Sequence, residues 1–122
     1  GAGANSGIWI HSNTRPTQAG SVALEVQLDA DESHVEKTGS IYHIAPVGRT
    51  VVHPNQWFDM KVVVVKKSIE VFINGNKVSE WTQPAGWKPP ANISNAYLRS
   101  GTFGFQSHTG QVWFKDVLLK EL

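Results

Sequence analysis

Three stretches of the chain alternate apolar and polar side chains with a period of two. Ile8 and Ile10 alternate with Gly7, Trp9 and His11. Leu24, Val26 and Leu28 alternate with Glu25 and Gln27, and Phe103 and Phe105 with Gln106 and His108. Successive side chains of an extended strand point to opposite faces. Each stretch therefore predicts a strand that buries its hydrophobes on one side and presents Trp9/His11, Glu25/Gln27 or Gln106/His108 on the other. If the three strands share a sheet, its second face is a polar, aromatic surface suited to a hydroxyl-rich ligand.

Strand-type runs recur at 6–11, 22–28, 40–45, 58–66, 68–73, 77–81, 102–107 and 111–119, and no window carries a convincing helical period. Short strands separated by turn residues predict an all-β sandwich or barrel. The clearest local feature is a hairpin: Ile69, Val71 and Ile73 lead into Asn74-Gly75, and Lys77, Val78 and Trp81 lead out. Asn-Gly supplies the positive φ angles of a tight two-residue turn. Residues 60–65 carry valines at positions of both parities, predicting a central strand covered on two sides. Residues 83–95, with Pro84, Gly86, Pro89 and Pro90, predict a loop carrying Trp87, and 11–20 predict another, kept out of helix by Pro16. The first strand begins almost at once, at Asn5, which predicts either an exposed edge there or a partner segment or second subunit that completes the sheet.

The 122 residues fit a single domain, 1–122, with 40% hydrophobic and 17% charged residues, as in an ordinary folded protein. A net charge of +1 from scattered residues leaves no electrostatic footprint for nucleic acid. The longest apolar run, 62–65, falls far short of the roughly 20 residues of a membrane-spanning helix. Without cysteine, thiolate and disulfide chemistry are excluded.

Within the predicted polar face, Glu25 and Gln27 read either as a solvated outer surface or as a ligand-facing acid–base and hydrogen-bonding pair. Gln106 and His108 stand among Gly101, Gly104 and Gly110, which would leave room for a ligand, and imidazole exchanges protons near neutral pH. Tyr42 and His43 are adjacent, so one is expected on the core side and the other on the ligand side. Asn5 at the mouth of the first strand is either a hydroxyl-orienting group or a turn residue. His34 and His53 read as solvated loop residues. No cofactor is implied. A divalent ion held by His11, Glu25, His43 and His108 is compatible with the residue types, although their spacing forms no ligand signature. A glycine-flanked nucleophilic serine is lacking, and Glu25 has only loop acids such as Asp29, Asp31 and Glu32 for a carboxylate partner.

The ordered set Asn5-Ser6-Gly7-Ile8, Leu24-Glu25-Val26-Gln27-Leu28, Thr38-Gly39-Ser40-Ile41-Tyr42, Trp57, Phe72-Ile73-Asn74-Gly75 and the run from Gly104 to Val117 resembles the 3-keto-disaccharide hydrolase-like family. The resemblance spans nearly the whole chain. It implies a jelly-roll β-sandwich of the concanavalin A-like lectin/glucanase type, a carbohydrate ligand, cleavage of 3-keto-glycosides, and a bacterial protein that is periplasmic or secreted. The family's polar positions fall on Asn5, Glu25, Gln27, Tyr42, Gln106 and His108. Relatives usually carry an arginine where this chain has His11-Ser12, and their domain begins with strands that lie before the position of Gly1. The resemblance thus leaves open a minimal variant, a fragment, or a homodimer or partner chain that completes the sheet.

A ketone at sugar carbon 3 acidifies the hydrogen on carbon 2 and opens an elimination route across the glycosidic bond. In that chemistry Glu25 or His108 is the expected base and Tyr42 or His43 the donor to oxygen. Asn5, Gln27 and Gln106, with His11, would hold hydroxyls, and Trp9 would stack on the sugar. The alternatives are a carbohydrate-binding module with no catalysis, and an interaction domain that recruits a partner strand to the first strand's edge.

Overall fold

The computed structural model describes residues 3–12 and 23–122. The six strands are β1 (Asn5–Ser12), β2 (Leu24–Asp29), β3 (Met60–Val65), β4 (Ser68–Ile73), β5 (Asn76–Thr82) and β6 (Thr102–Phe105). They form two three-stranded antiparallel sheets, ordered β2-β1-β6 and β3-β4-β5. The only helical element among the described residues is a 3-10 turn at Ala91–Ile93. No helix among them is long and apolar enough to cross a membrane.

The alternation read from the sequence sets the packing. Ile10, Leu24 and Val26 of the first sheet meet Ile69 and Val71 of the second, with Ile41, Ile93, Ala96 and Leu98 closing the core. The chain is thus an all-β sandwich. Ile69 is 0% exposed, so Ile69→Ala leaves a cavity that the surrounding strands cannot fill. We expect a loss of about 2–5 kcal/mol in denaturant unfolding, with the slope of the transition unchanged.

The predicted hairpin is present: β4 and β5 are joined through Asn74 (φ 49°) and Gly75 (φ 81°), the positive pair that a type I′ turn requires. Trp87 packs edge-on against Trp81 with ring centroids 5.0 Å apart and donates from Nε1 to the Ala96 carbonyl at 2.9 Å, so it serves the core's rim.

Four expectations are corrected. β3 is not central: it lies at one end of its sheet, and β4, whose apolar face is fully buried, takes the middle. Its valines line one side of an open groove of about 1720 Å³ shared with Ile8, Ile10, Phe105 and residues of 111–122. β1, expected either at an exposed edge or beside a completing partner, has a neighbour on each side from its own chain, so no edge is open there for strand recruitment. Residues 40–45 are not a full strand. Gly39 and Tyr42 donate to the Gln27 and Glu25 carbonyls, and Ser40 accepts from Gln27, before a turn closes with His43 at φ 57°. Residues 111–119 form no strand: the apolar residues come in clusters (112–114 and 117–119) split by Lys115-Asp116, so no single face exists to bury, and they remain exposed. Of the predicted loop 11–20, His11 and Ser12 belong to β1, and the remainder lies outside the described residues.

Candidate functional site

The face of the first sheet that turns away from the core is an array of cross-strand rows. β1 and β2 pair Trp9 with Glu25, Gly7 with Gln27, and Asn5 with Asp29. Beyond β1, Gly104 stands opposite Trp9, and the Gln106 backbone N–H donates to the Gly7 carbonyl at 2.8 Å. Beyond β2, the bridge between Val26 and Ile41 sets Tyr42 beside Glu25, Ser40 beside Gln27 and Thr38 beside Asp29. Glu25, Gln27 and Asp29 are nearly inaccessible although they lie on the outer face.

Glu25 is the centre of the array. Its carboxylate accepts from Trp9 Nε1 at 3.1 Å and, at the outer limit of a hydrogen bond, from Gln106 Nε2 at 3.5 Å. The side chain lies across Gly7: a Cβ at that residue would stand 2.2 Å from Glu25 Oε1. Burial raises the carboxyl's pKa to about 7; the Trp9 hydrogen bond pulls it down and the nearby charge of Glu36 adds to the rise. An acid poised there exchanges a proton readily at neutral pH. Because the indole N–H favours the carboxylate form, Trp9→Phe should move any Glu25-dependent acid limb of a pH–rate profile to higher pH; an unmoved limb would detach Trp9 from the proton chemistry.

Tyr42 is half-buried, and its phenol is pushed upward by burial, then by the charges of Glu36 and Glu25. It therefore remains a proton donor at neutral pH. His43 lies tilted against it, with ring centroids 3.9 Å apart and planes at 49°, and pairs with Glu36, Nδ1 to Oε2, at 3.3 Å. Tyr42 packs against the core cluster while His43 is exposed, so the turn at 42–44 separates the two side chains as expected.

Other candidates are placed differently. Asn5 Nδ2 and Gln27 Nε2 point to Asp29 Oδ2, at 2.9 and 3.4 Å, and so order a carboxylate rather than reach outward. His11 sits in a bulge where the β1–β6 register shifts, with φ 52°, and its ring meets the Arg99 carbonyl. His108 is exposed and lines an open recess of about 410 Å³ that also takes in Asn5 and Gln106 of the polar face. It is not brought to Glu25. Among the described residues no three His, Asp or Glu side chains converge as metal ligands, so His11, Glu25, His43 and His108 form no common site. Gln106 Oε1 is buried and has no hydrogen-bond partner among the described residues.

Sequence reasoning did not name Glu36, took Asp29 for a loop acid although it ends β2, and read His34 only as a solvated loop residue. Asp29 continues the period-two series of Glu25 and Gln27, and extending that count by one step would have found it. Glu36 and His34 come from an irregular loop and left no periodic signal.

A family model described as the 3-keto-alpha-glucoside-1,2-lyase-like domain matches residues 1–120. Two crystal structures of proteins from Parabacteroides distasonis, each described as a "putative glycosyl hydrolase", are similar in fold. One has a TM-score of 0.70 and 20% identity over 88% of this chain and 61% of its own. The other has a TM-score of 0.66 and 27% identity over 89% of this chain and 66% of its own. The chain thus spans just under two thirds of the length of each. No curated protein matches it.

Proposed function

The chain belongs to the 3-keto-alpha-glucoside-1,2-lyase-like domain family, and from that premise we propose that it cleaves the glycosidic bond of 3-keto-glycosides by proton transfer at Glu25. The observation that carries the reading is a buried carboxylate with its pKa near 7, held by an indole N–H and an amide on a polar sheet face.

In the reaction the carboxylate takes the proton from carbon 2, which the adjacent ketone acidifies. The C–H electron pair becomes the bond between carbons 1 and 2, and the bond from carbon 1 to the leaving oxygen breaks with its pair on that oxygen. Negative charge develops on the ketone oxygen during the step, and a phenol held neutral is the donor that stabilises it, a role we assign to Tyr42. Gln106 serves both protonation states of Glu25. Its amide N–H faces the carboxylate, and a half-turn of the amide brings the buried, unpartnered Oε1 to accept from the carboxylic acid.

Incubation with a 3-keto-disaccharide tests the reading: release of a monosaccharide supports it. Saturable binding without release would assign the face to glycan recognition instead, the non-catalytic alternative.

A further inference from the structure

The polar face continues past Gln27 to Asp29, where an arrangement the Glu25 chemistry does not use has been built. The Asp29 side chain is 1% exposed. Its carboxylate accepts from Asn5 Nδ2 at 2.9 Å, Gln27 Nε2 at 3.4 Å, the Asp31 backbone N–H at 2.8 Å and His34 Nδ1 at 2.6 Å. The His34 side chain is 53% exposed. A surface ion pair would be the simpler interpretation, and such pairs contribute little to stability. It leaves unexplained why donors from β1, β2 and the loop converge to bury and orient one carboxylate. An imidazole fixed through Nδ1 to an oriented carboxylate has its tautomer and ring plane set, and leaves Nε2 for a second partner.

Resting on the function proposed above, we propose that His34, positioned by Asp29, is the acid that protonates the leaving glycosidic oxygen while Glu25 takes the proton from carbon 2. Glu25 leans over Gly7, whose row is next to that of Asn5 and Asp29. Rows on one face of a strand are roughly 7 Å apart, so the carboxylate that orients His34 stands one row from the position the Glu25 side chain covers. The step balances: one proton goes to Glu25, one leaves His34, and no electrons are gained or lost overall. The charged groups around the ring are Asp29 on β2 and Asp31 and Lys37 on the loop, with the uncharged Asn5 amide from β1. The Asp29 hydrogen bond and then its charge push the imidazole's pKa up, Asp31 adds to the rise, and slight burial and Lys37 oppose it. The ring accordingly keeps its proton to higher pH than a free histidine.

Two substrates decide the matter. A 3-keto-disaccharide has a sugar alcohol as leaving group and needs an acid, whereas 4-nitrophenyl 3-keto-glucoside releases a stable phenolate without one. His34→Gln, at an exposed position, should lose ~10²–10⁴-fold on the disaccharide and retain most of its rate on the aryl glycoside. Equal losses on both, or none on either, would overturn the assignment. If the wild-type protein cleaves neither substrate, the underlying function falls and this assignment with it, a result distinct from a wild type that cleaves both and a variant that does not discriminate. Imidazole titration by NMR supplies a readout independent of turnover: Asp29→Asn should lower the His34 titration point, and an unchanged value would refute positioning by Asp29.

Discussion

Glu25→Gln leaves a folded protein that still binds a 3-keto-disaccharide and turns it over ~10²–10⁴-fold more slowly. The amide keeps the shape of the carboxyl and can still meet the Trp9 indole, but it cannot take a proton. The loss should therefore appear in kcat, with KM little changed. The wild-type profile should rise with pH through an apparent pKa of about 7, the value at which Glu25 becomes the base, and the variant should lack that limb. The same substitution has a signature in stability. The folded carboxyl holds its proton up to about 7, whereas its ordinary value is 4.5. Between those values the folded state binds more protons than the unfolded one, so stability falls as pH rises through that window. The variant has no such term, and its melting temperature should decline less than the wild type's between pH 4 and pH 8. A wild-type rate that is flat across neutral pH, or an active Glu25→Gln variant, would remove Glu25 from the mechanism.

What the sequence disclosed about this site follows from distance along the chain. Strands write their faces into the sequence at a period of two, so Glu25, Gln27, Trp9 and Gln106 were assigned to one polar face before any coordinates, and the register of β1 and β2 places them there. The Asn74-Gly75 turn was equally legible because the turn's geometry depends on those two residues alone. Contacts made by irregular backbone carry no period. His34 meets Asp29 because the 31–36 loop folds back on β2, and Glu36 reaches His43 for the same reason. His108 followed the alternation on paper, but β6 ends at Phe105 and Thr109 rather than His108 bridges to Asn5, so the parity is lost before it arrives. The valines of β3 misled in the opposite sense: both parities are apolar, and that pattern fits a strand flanking an open groove as well as a central one.

Gly7→Ala should reduce turnover by about 100-fold, the scale of loss that a misplacement of roughly 1 Å produces, while leaving the fold intact. Gly7 lies in β1 with no positive φ, so alanine meets no backbone penalty there. The obstacle is the side chain across the strand: the new methyl would lie 2.2 Å from Glu25 Oε1 and 2.7 Å from both Cδ and Cγ. Oε1 and Cδ are at the end of the Glu25 side chain and Cγ moves with a change of its rotamer, so the carboxylate is displaced and the strand stays. Moving it breaks the geometry with Trp9 Nε1 and Gln106 Nε2 that holds the base in place. Thermal unfolding should consequently change little, kcat should fall, and the pH limb near 7 should shift because the donors that temper Glu25 are displaced. A Gly7→Ala protein as active as the wild type would mean that the carboxylate's position above the β1 backbone is incidental to catalysis. One that unfolds would make the glycine a packing requirement of the β1–β2 pair. The predicted separation of activity from stability is therefore specific to a base held in place by the absence of a single methyl group.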